Sequence, residues 1–487
     1  MNTRVREAVH ATLAGSALAA LAGFAPAVLA QDGPPATGEA ATELEEIVVV
    51  ARQRSAATDV VLERIEQPVV MDLMSAEQIS RVGDSTVALA LRRLPGVTLV
   101  GEFVYIRGLG ERYSSTTLNG AYVPSPDLTR NVIPLDIFPA EIIDSISIQK
   151  GFTVDRPAAF GGGNVDIRTI RVPESFNMKF QIGSGWNSEL SGDVLTYNGG
   201  GDDDWGTDDG TRALSTQIRN TIPTYRGTYS IIPMLQVIRR EDPTATVADA
   251  EAINRRLATS LNRDVDLRSE SPNPDIGVEA SVGNSWLLDE SGLWTFGLVM
   301  VGDYKNQWRN RNRTNRTATT PDVDNGRTER SIQQVSLTGS FSAGLDFAED
   351  HSVGVTAIYL RNTDDEAALT QRNNFNFRRE DGAQLRDYRT RFEERELKVL
   401  QFTGRHVLGQ DTLDALDWEG FEPGPLLSGL EFSWYYSEST AATDIPNEAT
   451  ISAIDRVEPA TGRVLSTGLR PSGSTADFRF TELDDEV

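Results

Sequence analysis

The chain contains no cysteine, which excludes disulfides, thiolate metal centres and cysteine nucleophiles. Histidine is almost as scarce. Of His10, His351 and His406 the first lies in the leader, so too few remain for a multi-histidine metal centre. Lysine occurs only at 150, 179, 305 and 398, and the other basic residues are arginine, a bias that belongs to genome composition more than to function. No stretch of the mature chain approaches the roughly 20 apolar residues of a membrane helix, so a membrane could be crossed only by strands. The formal net charge of -25 disfavours nucleic acid or an anionic membrane surface as a general partner. No Ser/His/Asp set, phosphate-binding loop or metal-ligand spacing is present, so neither an enzyme nor a cofactor is expected.

What is present begins with a secretory leader. Arg4 and Arg6 precede an apolar Ala/Leu stretch, and Val28-Leu29-Ala30 places small residues before Gln31, so residues 1–30 read as a cleavable signal. A polar leader, 31–60, follows and holds one isolated apolar run, Glu45-Glu46-Ile47-Val48-Val49-Val50-Ala51. Its β-branched residues have high strand propensity but no neighbour in the leader to pair with. The run is either the first strand of the next domain or a docking strand that adds itself to another protein's sheet edge.

The chain changes character near Val172. Residues 61–172 read as a compact α+β domain. Ser75-Ala76-Glu77-Gln78 is a helix-start signal, Val87, Leu91 and Leu94 have helical spacing, and Pro95-Gly96 ends the helix. Short strands are expected at Val97–Val100, Val104–Arg107, Ile143–Gln149 and Val165–Ile167, with a turn at Leu118-Asn119-Gly120. Residues 173–487 instead alternate with period two, except for a long loop at about 195–274 with a helical insert near 247–261. In Val335–Leu345, Val335, Leu337, Phe341, Ala343 and Leu345 oppose Ser336, Thr338, Ser340, Ser342 and Gly344. Leu430–Ser437, Met178–Trp186 and Ile276–Trp286 alternate in the same way, and Trp186, Trp286, Trp294 and Tyr304 suit aromatic girdles. A membrane β-barrel wall and a soluble sandwich share this alternation; they differ in whether the apolar face turns out or in.

Five segments in order carry a resemblance: Leu91–Val97 (LRRLPGV), Ile106-Arg107-Gly108, Leu118-Asn119-Gly120, Ile146–Gly151 (ISIQKG) and Gly161–Thr169 (GGGNVDIRT). Behind a signal and ahead of barrel-like strands, they resemble the plug domain of TonB-dependent outer-membrane receptors, and Glu45–Ala51 stands where that family has its TonB box. The resemblance implies an α+β plug followed by a transmembrane antiparallel β-barrel of the 22-stranded class. It further implies import of a siderophore-class or oligosaccharide-class ligand, powered through pairing of 45–51 with the periplasmic domain of TonB. The partners implied are TonB, an extracellular ligand and outer-membrane lipid, with no nucleic acid. A passive porin or a surface adhesin remains the alternative.

Arg112 and Tyr113, in the turns after Arg107, are the candidate ligand residues, with Pro124–Arg130 as a second candidate loop. A structural role for Arg112, paired to a wall carboxylate, competes with ligand binding. The acidic loop Gly200–Gly210 has clustered oxygen ligands but lacks the EF-hand order, so a solvated loop is expected. With about eight to ten candidate strands of about 9–11 membrane-crossing residues each, the wall is expected to be incomplete and the chain to be a fragment of a longer frame.

Overall fold

The computed structural model describes residues 69–487 apart from 76–77, 80–86, 101–102, 128–132, 139–141, 154–160, 171–174, 187–192, 202, 291, 349, 410–411, 413–429 and 471–475. The docking run Glu45–Ala51 lies outside the described residues. The first unit is a sheet ordered β1-β6-β7-β4-β5. Its strands are β1 (Met71–Ser75), β4 (Ser114–Leu118), β5 (Ala121–Tyr122), β6 (Ile143–Gln149) and β7 (Gly163–Thr169), and β4 runs parallel to β7. A separate hairpin, β2 (Val97–Val100) with β3 (Phe103–Ile106), and the short helix α1 (Val87–Leu91) complete it. The Ser75 start signal is real: Ser75 N–H donates to Gln78 Oε1 at 3.2 Å and Gln78 N–H to Ser75 Oγ at 3.4 Å. Strands β1, β4 and β5 are not legible in the sequence, because MDLMS and SSTTL carry little alternation of their own and β5 has only two residues.

The recurrent motifs owe their residue types to one contact network. Arg107 has φ +55° and Gly108 φ +78°, and the Arg107 N–H donates to Gly96 O at 2.8 Å, which ties the Pro-Gly stop to the Ile-Arg-Gly turn. Asn119 (φ +51°) and Gly120 (φ +84°) make the β4–β5 turn, where both residues need a left-handed backbone. Asp166 Oδ1 accepts from the Gly120 N–H and the Thr117 hydroxyl, so the turn is held by the strand of the last motif. Gly163 cannot be larger, since a Cβ there would stand 2.9 Å from Gln149 O and 3.0 Å from Ile106 Cδ1.

The second unit is a 10-stranded antiparallel sheet ordered β18-β17-β16-β15-β14-β12-β11-β8, with β13 on β14 and β19 on β17. Its strands are β8 (Asn177–Gly185), β11 (Asp275–Leu287), β12 (Trp294–Asn310), β13 (Arg313–Arg316), β14 (Asn325–Phe347), β15 (His351–Asn373), β16 (Ala383–Val407), β17 (Glu431–Val457), β18 (Val464–Leu469) and β19 (Ala476–Glu486). Among the described residues the sheet is open, with β8 at one edge and β18 and β19 at the other. Register assigns the faces. Phe341 pairs with Met300 and Ala357, while Ser342 pairs with Val299 and Thr356. Val299, Val301, Ile358, Leu360, Leu397, Val399 and Ala441 join the buried core of the first unit. The apolar row of Leu337, Phe341 and Leu345 lies on the opposite face, half-buried or exposed. A sandwich would have buried that row; here it faces out, as a lipid-contacting wall requires. At the end with the short turns 288–293 and 348–350, Trp286 stacks on Phe296 and Trp294 meets Phe347, which forms one aromatic girdle.

Between β8 and β11 the long connection is not a plain loop. It folds as β9 (Val194–Thr196) paired with β10 (Arg268–Glu270) and helices α2 (Thr216–Arg219), α3 (Ile222–Tyr225), α4 (Ile231–Ile238) and α5 (Val247–Thr259). Ile218, Met234, Leu235, Ala250 and Leu257 form its own small core. The acidic loop expected to be solvated is instead neutralised from within. Arg212, 2 % exposed, pairs with Asp203 and Asp208 at 2.7 Å and with Asp365 of β15 at 3.1 Å, and lies 4.4 Å over the Phe392 ring of β16. Nearby aspartates without their own cation create that buried demand.

Candidate functional site at the plug and its wall seat

Burial and hydrogen bonds together seat the first unit on the wall. Gln401 of β16 presents its amide to the β4–β5 turn: Nε2 donates to Leu118 O at 2.9 Å, and Oε1 accepts from Asn119 Nδ2 at 2.9 Å. Asn119 also holds its own sheet, accepting from the Thr169 N–H at 2.9 Å. Farther along, the Thr443 hydroxyl of β17 donates to Pro126 O. Each such bond is worth about 0.5–1.5 kcal/mol net, whereas each fully buried aliphatic side chain contributes about 1.5–3 kcal/mol. The shared apolar core therefore supplies most of the adhesion, and the polar contacts fix the register.

The proposed ligand residues fall in two different settings. Arg112 and Tyr113 form a short 3-10 turn, Glu111–Tyr113, ahead of β4, at the end of that strand away from Gln401. Both are exposed, and the Arg112 guanidinium lies 5.9 Å over the Tyr113 ring. Arg112 makes no ion pair with a described residue, so the expected wall carboxylate is not its partner. Arg107 is structural, its Nη1 donating to Lys150 O at 3.1 Å. Of the second candidate loop, Pro124–Arg130, Pro124–Pro126 are buried and Pro126 O meets β17, so these residues belong to the seat, while 128–130 lie outside the described residues.

Sequence reasoning missed a charged ladder on the plug-facing side of the wall. Arg330 of β14 reaches Glu366 of β15; Arg389 of β16 reaches Glu366 at 3.0 Å and Glu448 of β17 at 2.9 Å; Arg391 reaches Glu393 at 3.0 Å. The Nε donors of Arg330 and Arg391 are buried and make no hydrogen bond with a described residue. Inward parity of alternating charges along β14–β16 was the available signal. It is legible only once the register says which positions share a face.

A family model described as TonB-dependent Receptor Plug Domain matches residues 63–163. Among solved structures, the chain is similar to a mutant of the ferric enterobactin receptor PfeA from Pseudomonas aeruginosa, at 12% identity and TM-score 0.34, covering 87% of this chain and 56% of that one. It is similar also to the ferric citrate transporter FecA in its unliganded form (14% identity, TM-score 0.32, covering 88% and 53%) and to the siderophore receptor PirA from Acinetobacter baumannii (10%, 0.31, 81% and 57%). The chain thus spans about half the length of these structures. Comparison with curated proteins finds no match. The plug match and the outward-facing apolar row agree: residues 63–163 match the plug domain of TonB-dependent receptors, and the described part of that unit is seated on an open antiparallel β-wall.

Proposed function

We propose that the chain acts in the outer membrane as the plug-bearing part of an energy-coupled importer of a siderophore-class or oligosaccharide-class ligand. The observation that carries this reading is the seat. A plug held by a shared apolar core and by Gln401 and Thr443 blocks diffusion along the wall, so passage requires work on the plug. That disfavours the passive porin. In this reading Glu45, Glu46, Ile47, Val48, Val49, Val50 and Ala51 form the strand that pairs with TonB, and TonB transmits force to the plug. Arg112 and Tyr113 offer an exposed cation and phenol to ligand. The short turns face the periplasm and the long connections the exterior.

Deletion of Glu45–Ala51 tests the coupling, with iron-loaded siderophores and labelled oligosaccharides assayed in parallel. Lost uptake with retained binding is the expected outcome; uptake that continues unchanged overturns the proposal.

A further inference from the structure

The stretch 213–263 carries seven arginines against four carboxylates, in a chain whose net charge is -25. Two of those carboxylates serve local turns: Asp242 accepts from Thr244, and Asp249 from Thr246. Arg226, Arg239, Arg240, Arg255, Arg256 and Arg263 are exposed and make no ion pair with any described residue. Along β14–β16 the pattern differs: Arg330, Arg361, Arg372, Arg386, Arg389 and Arg391 are each paired, whereas Arg313 and Arg316 of the short β13 are exposed without an ion pair to a described residue. Carboxylates outnumber basic residues, 71 to 46, so unpaired arginines gathered on one hairpin are not a shortage of partners within the chain.

Position identifies what would pair with them. The module grips the outward face of the wall: Arg212 meets Asp365 and Phe392, Gly206 O accepts from the Thr363 hydroxyl at 2.6 Å, and Asp204 O accepts from the Tyr304 hydroxyl at 2.6 Å. Tyr304 pairs with Leu337, at the upper limit of the outward apolar row, and Trp205 packs 5.3 Å from the Tyr304 ring. The 204–212 loop therefore lies on the outward face, away from the plug and beside the upper limit of the apolar row, and the end of α5 is tied to the chain just after that loop by Ser215 Oγ with Ser260 Oγ at 2.8 Å and by Asn262 Nδ2 donating to Thr211 O at 2.9 Å. Exposed Val247 shares α5 with Arg255 and Arg256, and exposed Ile232 lies on α4, which Arg239 and Arg240 follow directly, an interleaving of apolar and basic residues that suits an interfacial surface.

We propose that the α4/α5 hairpin is a docking surface for phosphate-bearing lipid headgroups of the outer leaflet. This rests on the reading of the wall as membrane-embedded. Guanidinium groups suit phosphate by forked hydrogen bonding, and a solute bound over the plug would lie on the other face of the sheet. Basic residues at an anionic lipid surface strengthen attachment by roughly fivefold each.

The test uses the full chain folded in neutral detergent and titrated with bis-phosphorylated lipid A, binding being followed by tryptophan fluorescence. Wild type is compared with Arg239→Gln/Arg240→Gln/Arg255→Gln/Arg256→Gln, with the milder Arg255→Gln/Arg256→Gln, and with the control Arg378→Gln/Arg463→Gln. We expect the milder pair to bind about 25-fold more weakly, the fourfold variant to bind several hundredfold more weakly, and the control to match wild type. Dephosphorylated lipid A should bind wild type as weakly as the bis-phosphorylated lipid binds the fourfold variant. Unchanged affinity in either hairpin variant with native circular dichroism overturns the inference, as does equal binding of dephosphorylated lipid. Equal binding of soluble inositol hexakisphosphate would show a site for dissolved anions and also overturn it. A chain that stays soluble without detergent would instead sink the membrane reading beneath it.

Discussion

At Arg212 one side chain neutralises several acids and joins two parts of the fold. Burial opposes its charge, but Asp365, Tyr197 and Asp208 more than offset this and hold its pKa above the ordinary arginine value. Burial, followed by Asp365, likewise pushes the Tyr197 phenol well up. Arg212→Met leaves Asp203 and Asp365 buried without their cation, and should cost about 3–5 kcal/mol in attachment of the insert. Limited proteolysis across 194–270 reads this directly, and cleavage there should rise while the plug stays protected. Gly163→Ala is the counterpart in the plug: its Cβ would press on Gln149 O, so we expect a loss of about 1–3 kcal/mol in thermal unfolding. Which of Gly161–Gly163 cannot grow depends on Ile106 and Gln149, distant in sequence, so the GGGNVDIRT motif alone does not tell. Arg212 drew no attention, because nothing local distinguishes it from other arginines.

At the scale of elements, helix α5 is held at its start by Asp249, whose Oδ2 accepts from the Thr246 hydroxyl at 2.7 Å and N–H at 2.8 Å. The hydroxyl first and the backbone second lower the Asp249 pKa from its ordinary 3.8. A carboxylate with a depressed folded pKa stabilises above its unfolded value and loses that contribution as pH falls through the folded one. Protection factors for hydrogen exchange over 247–259, with the intrinsic pH dependence of exchange divided out, should therefore fall below about pH 4, and Asp249→Ala should flatten that fall. The wall seat gives a second element-level expectation. Gln401→Leu leaves the buried Leu118 carbonyl unpaired, costing about 1–3 kcal/mol, and should expose the β4–β5 turn to exchange without unfolding the wall. Strands and the division of their residues between two faces are legible, since period two survives in Val335–Leu345 and Ile276–Trp286. Parallel pairing of β4 with β7 is not, because it is set by Ser115–Asn164 and Thr117–Asp166 contacts between distant segments.

Across the whole molecule, the sheet separates two environments by parity alone. Phe341→Arg puts a charge on the outward apolar row and should cost about 2–4 kcal/mol in membrane insertion, whereas Ser336→Arg, on the plug-facing side, should insert close to normally. Detergent-resistant folding measured for both variants compares the two faces. The orientation of that row could be argued from sequence only as one of two options, since alternation is blind to which face meets water. The motif order disclosed the plug, while its seat depended on single residues such as Gln401 and Thr443 whose partners lie more than 280 positions away.

Strand β1 stands at the margin of the plug sheet and pairs only with β6, its first rung being Met71 with Gln149. A tension applied to the chain ahead of Met71 would load these rungs in sequence, toward Ser75 and Ser145, instead of shearing all of them together. Early in that opening Asp72 separates from Lys150, whose ammonium also donates to Pro95 O at 2.7 Å and whose carbonyl accepts from Arg107. The rupture would thus loosen the Pro95–Gly96 bend and the Arg107 turn before reaching the contacts at Gln401. The order of failure is built into the strand order: the margin peels first, and the part resting on the wall yields last.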